Sequence, residues 1–261
     1  MGPLSELNNY FDKIFVITLK ENEERQRETA KRLKKHGVSF EFCYGVNGHA
    51  LDIERLEKEG LYSEQLSLKN TGYPMAKGEL GCALSHLEIY KKMVTEKYSK
   101  VLIFEDDLVI EEENIIDLKE ALKKIPPGWD LLYFGAMRHF LRMPFLIRLK
   151  CALVYPVISF LGIKKYDINQ IRRSFGRPFN KYWDKAGVHN CTFAYAMSLS
   201  GAQKLIKYET PIGAPIDRAF QLLIRSGKLK AYKLVRLIFD QRYDWPSVVG
   251  MRPSYERDRG S

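Results

Sequence analysis

The chain has 261 residues, of which 45% are hydrophobic and 28% charged, a composition that excludes general disorder and allows one large globular domain or two small ones. Lysine and arginine outnumber aspartate and glutamate by 42 to 32, so the chain should attract anionic partners such as nucleotides, acidic lipids or nucleic acid. The charge alone does not choose among these partners.

The first half of the chain is predicted to begin with a βαβ unit. Residues 13–19 are apolar and largely β-branched, which suits a strand covered on both faces in a parallel sheet. A charged helix at about 22–36 and a second strand at 38–43 follow. A short helix is predicted at about 53–59, and apolar residues at three- and four-residue steps predict a longer helix over 80–98.

The remaining elements continue this alternation. Residues 101–104 form an apolar strand that stops at three adjacent acids. The elements predicted after it are a helix at about 114–124, strands at 130–135 and 192–198, and helices at 201–208 and about 216–226. The pattern predicts an α/β fold with an open, mostly parallel sheet flanked by helices. In such sheets ligands bind at the carboxyl ends of strands, which is where the acids lie.

The three acids are Glu105, Asp106 and Asp107, called here the acidic triplet. Like charges at the end of a buried strand repel unless something positive neutralises them. Mg²⁺ or Mn²⁺ would do so while keeping coordination positions for phosphate oxygens. A solvated acidic loop before the next helix, where acids favour the helix N-terminus, explains the triplet equally well.

Several short motifs follow one another in a fixed order along the chain. Together they resemble glycosyltransferase family 25, which includes bacterial lipooligosaccharide β-galactosyltransferases and is related to the collagen galactosyltransferases. The motifs are FVITL at 15–19 followed by Arg25, YGVNG at 44–48, KGELGCALSH at 77–86, VLIFEDD at 101–107, TFAYAMSLSGAQKL at 192–205, API-Asp217 at 214–217 and PSVVGMR at 246–252.

The resemblance implies a single domain with a GT-A-like fold over residues 1–261, a UDP-sugar donor, a divalent metal and inversion at the anomeric carbon. Galactose is the donor sugar that it favours. The triplet occupies the family's EDD position, equivalent in role to the DXD motif of GT-A enzymes. Asp107 is the first choice as a direct metal ligand, with Glu105 beside it, and Asp106 is placed with the donor.

His189 is the candidate for a third metal ligand, because GT-A enzymes often recruit a histidine from late in the sequence. The family more often has its histidine nearer the centre of this motif, where the chain has Phe193.

Donor-binding candidates lie after the first strand. Thr18 and Leu19 stand where a nucleotide-binding edge would be, and Arg25 would pair with phosphate through its planar fork or make an ordinary ion pair on an exposed helix. Asn47 serves either the nucleotide or only its own turn.

The family places the GELGC-SH segment beside the donor. This makes Gly78, Glu79, Ser85 and His86 candidates, with Gly78 and Gly81 allowing close backbone approach. The alternatives are that Gly78 and Glu79 merely begin a helix, and that His86 is a satisfied interior histidine.

Asp217 is the candidate catalytic base. Inverting transfer needs one carboxylate to take the proton of the acceptor hydroxyl. Asp217 also stands in the first turn of a predicted helix, where an acid is stabilised by the helix dipole. Both roles are compatible.

Residues 138–173 are predicted to be a basic amphipathic insertion. Arg148, Lys150 and Pro156 interrupt its apolar run, leaving less than the roughly 20 residues that span a bilayer. One hypothesis is a surface that rests on anionic lipid at the inner face of the bacterial inner membrane, beside a lipid-linked oligosaccharide acceptor. The other is a variable loop.

The predicted location is the cytoplasm, because the cysteines form no CxxC pair and residues 1–10 lack a secretory signal pattern. Two other functions compete with sugar transfer. A nucleotidyltransferase would also place carboxylates at a strand end, but neither GxxxxGK nor GxGxxG occurs. A nucleic-acid-binding module should concentrate basic and aromatic residues in a recognisable motif, and none is found, so no nucleic-acid partner is predicted.

Overall fold

A computed structural model describes residues 2–136, 143–165, 167–190 and 192–242. The strands of these residues are β1 (Lys13–Thr18), β2 (Glu41–Tyr44), β3 (Lys100–Glu105), β4 (Leu108–Ile110), β5 (Leu131–Tyr133), β6 (Arg177–Pro178), β7 (Trp183–Lys185), β8 (Ala194–Ser198), β9 (Ala231–Leu234) and β10 (Phe239–Gln241).

The α-helices of the same ranges are α1 (Glu6–Tyr10), α2 (Glu23–Lys35), α3 (Ile53–Lys58), α4 (Glu64–Thr71), α5 (Lys77–Thr95), α6 (Leu118–Lys123), α7 (Phe145–Leu149), α8 (Tyr155–Phe160), α9 (Ile168–Arg173), α10 (Leu199–Tyr208) and α11 (Ile216–Ser226). Two 3₁₀ turns cover Gly48–Ala50 and Glu112–Asp117. A π-helical turn at Lys150–Val154 joins α7 to α8.

The central sheet of the described residues has the strand order β2-β1-β3-β8-β5-β9-β7-β6. Strand β1 pairs in parallel with β2 and β3, whereas β8 runs antiparallel between β3 and β5, and β9 is again parallel to β5. Only β7 and β8 therefore oppose the common direction of these strands. The predicted α/β class with a mostly parallel sheet is confirmed, and the arrangement is compatible with a GT-A-like fold.

Helices cover both faces of this sheet. Val101 and Ile103 of β3 pack into one apolar cluster with residues of α5, α10 and α11. Leu102 and Phe104 point to the opposite face, into a cluster with residues of α1, α2 and α6. Successive side chains of a strand alternate between faces, so a strand that is apolar at every position requires cover on both sides. This is why the apolar sequence before the triplet lies in the middle of the sheet.

The sequence patterns located the predicted strands and helices within a few residues. The elements that they did not predict are α1, α4, α7, α8, α9, β6, β7, β9 and the three-residue strands β4 and β10, which pair antiparallel with each other, Gln241 opposite Leu108. The predicted helix at 114–124 is divided into a 3₁₀ turn and α6. The motif at 246–252 lies outside the described residues. Within the described ranges, the model contains no helix with the length and hydropathy required to cross a bilayer.

Close backbone packing fixes the loop after β2 against the start of α5. A Cβ atom added at Gly81 would lie 2.7 Å from the carbonyl oxygen of Val46 and 2.8 Å from the nitrogen of Gly48. A Cβ added at Gly48 would collide with the carbonyl of Lys77. Because Gly81 has no side chain, α5 can pack directly against the turn at 45–48. The sequence had instead suggested that a ligand approaches the backbone at this glycine.

This packing predicts that Gly81→Ala destabilises the protein although alanine is the better helix former. The steric conflict involves backbone atoms that cannot move independently, so we expect a net loss of about 1–3 kcal/mol, measured by urea denaturation. Lys91→Ala, at an exposed position of the same helix, is the control and should change stability by about 0.5 kcal/mol or less. A Gly81→Ala protein as stable as the parent would contradict the close contact.

Candidate active site

A cavity of about 550 Å³ opens at the carboxyl ends of β1 and β3. This volume is within the range of about 300–1,000 Å³ typical of small-molecule sites. Its walls include eleven residues singled out from the sequence: Thr18, Leu19, Arg25, Gly78, Glu79, Ser85, His86, Glu105, Asp106, Asp107 and Asp217. Residues from several separate stretches of the chain thus meet at one edge of the sheet, as expected for an open α/β fold.

Asp106 is the member of the triplet whose two carboxylate oxygens both have protein partners. Its Oδ2 accepts a hydrogen bond from Thr18 Oγ1 at 2.6 Å, and its Oδ1 pairs with Arg25 Nη1 at 3.1 Å. Its backbone carbonyl accepts a hydrogen bond from Thr29 Oγ1 at 2.6 Å. Burial raises the pKa of Asp106, and the contacts with Thr18 and Arg25 oppose that rise. Thr18 and Arg25 therefore bind this carboxylate and fasten α2 to the end of β3.

Glu105 has a different set of neighbours from Asp106. Its Oε1 accepts a hydrogen bond from Thr192 Oγ1 at 2.5 Å and lies 3.6 Å from His86 Nε2. Burial tends to raise the pKa of Glu105, but His86, Thr192 and Arg25 together outweigh it, so its pKa lies below the usual value. The carboxyl group is therefore ionised at neutral pH.

His86 is fully buried and belongs to a hydrogen-bonded chain. Its Nδ1 lies 2.7 Å from the hydroxyl of Tyr195, which in turn lies 2.6 Å from the hydroxyl of Tyr90. The ring is therefore hydrogen-bonded in the interior at one nitrogen, while its Nε2 lies 3.6 Å from Glu105 Oε1 at the cavity and has no hydrogen-bond partner among the described residues. We infer that this chain sets the orientation of His86 beneath the triplet.

Asp107 differs from its two neighbours because it is only half satisfied. Gln241 Nε2 donates to its Oδ2 at 2.7 Å, while its Oδ1 is buried and has no hydrogen-bond partner among the described residues. Burial first, and the charge of Glu105 second, raise the pKa of Asp107 to about 7. A buried acceptor without a partner beside a second carboxylate is an environment that a cation would stabilise.

A divalent cation fits these residues only in part. Within the described residues, no three His, Cys, Asp or Glu side chains come together as a complete metal site. Asp107 and Glu105 nevertheless supply oxygen ligands, and Mg²⁺ usually takes one or two carboxylates and completes its shell with water and substrate phosphates. The donor set therefore suits a cation that binds together with a diphosphate.

His189, the candidate third metal ligand, packs in the core. Its ring is buried and lies edge-on against Tyr133, with the ring centroids 5.1 Å apart. The residue is absent from the cavity wall, whereas its neighbours Asn190 and Thr192 contribute to it. A role for His189 as a metal ligand stays a prediction.

The loop at 45–48 and the start of α5 form one wall, and several candidates there have structural duties. Ser85 Oγ donates to the carbonyl of Gly81 at 2.7 Å and accepts from the nitrogen of Val46 at 2.8 Å. Glu79 Oε2 accepts from the nitrogen of Ala76 at 2.9 Å, which caps the helix. Gly78 and Glu79 therefore begin the helix and also face the cavity.

Asn47 has the turn role rather than a place in the wall. Its side chain accepts a hydrogen bond from the nitrogen of His49 at 3.0 Å and donates to Glu21. Its neighbours Val46 and Gly48 line the cavity in its place.

The opposite wall is formed by the start of α11. The Asp217 Oδ1 accepts from the backbone nitrogen of Arg218 at 2.7 Å, which fixes the carboxylate within the first turn. Gln221 Oε1 accepts from Arg218 Nη1 at 3.1 Å, and Gln221 Nε2 donates to Asn190 Oδ1 at 2.9 Å. Asp217 thus lines the same cavity as the triplet, on an element joined to its neighbours by several hydrogen bonds.

Sequence reasoning missed other polar residues of the wall. Gln241 and Thr192 bind two of the triplet's carboxylates, and Asn22, Arg218 and Gln221 also line the cavity. Thr192 lies inside a recognised motif, and Asn22 precedes a predicted helix, so position offered some signal for these two. Gln241 offered none, because it comes from a three-residue strand far along the chain.

Comparison with known proteins gives a consistent result. The model of glycosyltransferase family 25 (LPS biosynthesis protein) matches residues 11–220. Procollagen galactosyltransferase 2 of Mus musculus is 26% identical over 233 residues, covering 85% of this chain and 32% of that protein. Probable inactive glycosyltransferase 25 family member 3 of Bos taurus is 27% identical over 236 residues, covering 85% and 33%.

The chain therefore spans about a third of the length of these curated relatives. Among solved structures, the crystal structure of mannose-1-phosphate geranyltransferase from Thermus thermophilus has a TM-score of 0.33 and 9% identity, covering 87% of this chain and 60% of that one. That similarity is too low to support an argument.

The environment of Asp107 predicts that Asp107→Asn stabilises the metal-free protein at high pH. The unfolded carboxyl loses its proton near about pH 4 and the folded one near pH 7, so the parent loses stability as the pH rises through this window. In EDTA at about pH 8, the variant should be more stable by roughly 1–4 kcal/mol, and the difference should vanish near about pH 4.

Urea denaturation at the two pH values measures this effect. Glu113→Gln, at an exposed carboxylate, is the control and should show no such dependence on pH. If Asp107→Asn were destabilising at both pH values, the unfavourable burial of this charge would be disproved.

Proposed function

The chain belongs to glycosyltransferase family 25, and on that premise we propose that it transfers a hexose, galactose, from a UDP-sugar to a lipooligosaccharide or lipopolysaccharide core. The observation that carries the proposal is the single cavity whose wall contains both the acidic triplet and Asp217. The family's description as an LPS biosynthesis protein supports the acceptor class. Relatives named procollagen galactosyltransferases support galactose as the donor sugar.

Family membership alone does not decide that a member is active. One relative that is named probable inactive is 27% identical to this chain. A relative named as a procollagen galactosyltransferase is also 27% identical. Support for activity must therefore come from the residues of this chain. The cavity wall contains Glu105 with a lowered pKa, a half-satisfied Asp107 and the carboxylate of Asp217, and these residues support the proposal of a cation site and a base.

Asp107 and Glu105 would hold a divalent ion, Mn²⁺ or Mg²⁺. When bound, such an ion acts as a Lewis acid that neutralises charge on the departing diphosphate. Asp106 is already engaged by Thr18 and Arg25, so its part is to keep the other two carboxylates in place. The end of β1 and the start of α5 would bind the nucleotide between them, because both border the cavity next to the triplet.

Asp217 would act as the general base. In an inverting transfer the acceptor oxygen bonds to the anomeric carbon as the bond from that carbon to the diphosphate oxygen breaks on the opposite face. The proton of the acceptor hydroxyl passes to a carboxylate. Asp217 is suitable because it lines the same cavity as the triplet and its Oδ1 is oriented by the backbone N–H of Arg218.

Release of UDP from a panel of UDP-sugars tests the donor and the metal together. With Mn²⁺ we expect release from UDP-galactose, which should stop in EDTA and fall about 100-fold or more in Asp107→Ala. Glu113→Ala is the control for loss of an exposed carboxylate and should retain full activity.

Calorimetry on the same samples separates a missing acceptor from a wrong function. If a UDP-sugar binds in a metal-dependent way but no UDP is released, the assay should be repeated with a lipooligosaccharide core added as acceptor. A procollagen peptide is the second acceptor to be compared. Absence of metal-dependent binding for every UDP-sugar would refute the proposal.

The role of Asp217 predicts a separate kinetic effect. Asp217→Asn keeps the size and the backbone hydrogen bond but removes the base, so kcat should fall by about 10²- to 10⁴-fold while KM for the UDP-sugar stays nearly constant. Asp167→Asn, a substitution at another acid near a helix start, is the control and should leave both constants unchanged. An unchanged kcat in Asp217→Asn would assign proton removal to another group.

A further inference from the structure

The helical segment Phe145–Phe160 exposes an unusual amount of apolar surface. Of the fifteen large apolar side chains that are exposed among the described residues, nine lie between positions 145 and 163. Five of them recur at spacings of three, four, four and three residues and are here named the apolar stripe: Leu146, Leu149, Leu153, Val157 and Phe160. Exposed apolar groups at this density mark an interaction surface.

The opposite side of the segment faces the protein. Ile147, Cys151, Tyr155 and Ile158 are buried or half-buried and recur at spacings of four, four and three. The two sets therefore occupy two faces of one helix, since residues three and four apart lie on the same side. An ordinary surface helix presents its polar face to solvent, whereas this one presents an apolar face.

The helical segment continues across a proline, so both faces extend along its whole length. Pro156 has no backbone N–H and would interrupt a regular α-helix. The π-helical turn at Lys150–Val154 lies directly before it and widens the backbone where the proline ring needs room. The segment thus continues past Pro156 and the stripe extends to Phe160.

The charges around the stripe are all positive. Arg148, Lys150, Lys164 and Lys165 are exposed. Residues 143–165 contain no Asp or Glu. On an ideal helix with about 100° per residue, Lys150 projects about 60° from the centre of the stripe, whereas Arg148 lies about 140° from it, on the other side and nearer the buried face. Apolar side chains bordered by cations suit a surface with hydrocarbon beneath anionic groups.

The segment also lies between elements of the candidate active site. Strand β5, which precedes it, runs in the same direction as β1 and β3, so its carboxyl end is at the edge of the sheet that holds the cavity. Helix α9, which follows it, packs against α11, whose first turn carries Asp217. The segment therefore adjoins, through α9, a helix whose first turn lines the cavity.

We propose that Phe145–Lys165 is a docking surface for an anionic lipid bilayer, with the apolar stripe entering the interface and the four cations binding lipid headgroups. A second copy of the chain is a poorer occupant, because each copy would bring the same positive charges to the contact. Each basic residue close to an anionic membrane strengthens binding by about fivefold. The proposal goes beyond sugar transfer and requires no donor or metal.

Co-sedimentation of the full chain with vesicles tests the proposal. Vesicles of phosphatidylcholine in which phosphatidylglycerol replaces part of the lipid should bind the protein, and vesicles of phosphatidylcholine alone should bind it about tenfold or more weakly. Raising the salt concentration should weaken the binding, because it screens the cations.

Two variants separate the apolar and the charged contributions. The stripe variant carries Leu149→Ser, Leu153→Ser and Val157→Ser, and the charge variant carries Arg148→Gln, Lys150→Gln, Lys164→Gln and Lys165→Gln. Each should lower binding to the anionic vesicles by about tenfold or more. The fold should be unaffected because these side chains are exposed, which thermal melts verify.

Matched controls alter the same chemistry elsewhere on the surface. Leu68→Ser with Val94→Ser and Ile116→Ser changes three other exposed apolar residues, and Lys31→Gln with Lys34→Gln, Lys58→Gln and Lys69→Gln removes four other cations. Neither control should change binding more than about twofold.

Three results would overturn the proposal. The first is equal binding of the parent to neutral and anionic vesicles, or no binding to either. The second is loss of binding in the controls to the same degree as in the variants. The third is a parent dimer in light scattering that the stripe variant converts to a monomer, which would assign the stripe to self-association. Because binding is measured without UDP-sugar, its failure would leave the proposed transferase activity to its own assays.

Discussion

Three neighbouring carboxylates at the end of a buried strand impose the main electrostatic constraint on this protein. The fold meets the constraint differently at each residue. Asp106 is bound by Thr18 and Arg25, and Glu105 by Thr192 with His86 nearby. Asp107 receives only Gln241 and keeps one buried oxygen without a partner among the described residues. Elements from both halves of the chain are thus drawn to one edge of the sheet, because leaving these charges unpaired in the interior would be costly.

The carboxylates of the triplet differ in how fully they are hydrogen-bonded, and this difference distinguishes a structural role from a proposed functional one. A fully paired Asp106 stabilises the contact between α2 and β3, and it can do so without any ligand. A partly paired Asp107 is unfavourable in isolation, and the proposed cation would stabilise it. Sites of this kind commonly sacrifice some stability for binding or catalysis, because the groups that must meet a ligand cannot be satisfied in advance.

The walls around the triplet are built from short contacts that leave little freedom. The loop at 45–48 is pressed against the start of α5 through Gly48 and Gly81, and Ser85 joins the two by hydrogen bonds. On the other side, Gln221 joins α11 to Asn190. The exposed helical segment at 145–160 is connected to the same edge through β5 and α9.

The sequence by itself determined the α/β class and the order of the main elements, because long apolar strands and periodic helices reflect local geometry and burial. Most of the cavity's candidates followed instead from the resemblance of the ordered motifs to family 25. The sequence also located the triplet at a strand end, since that follows from the strand pattern alone. It left open whether Asn47 binds a ligand or caps a turn, and it placed His189 in a metal shell. Those outcomes depended on which side chains meet across the fold.

Only the tertiary structure decided that Thr18 and Arg25 hold Asp106, that Gln241 reaches Asp107 from a three-residue strand, and that His189 packs on Tyr133. It alone decided which face of the segment at 145–160 is exposed, because a helix that is apolar all around has no polar side to reveal its orientation. Periodicity records how a segment is folded, whereas contacts between distant segments are set by packing and by the pairing of buried charges.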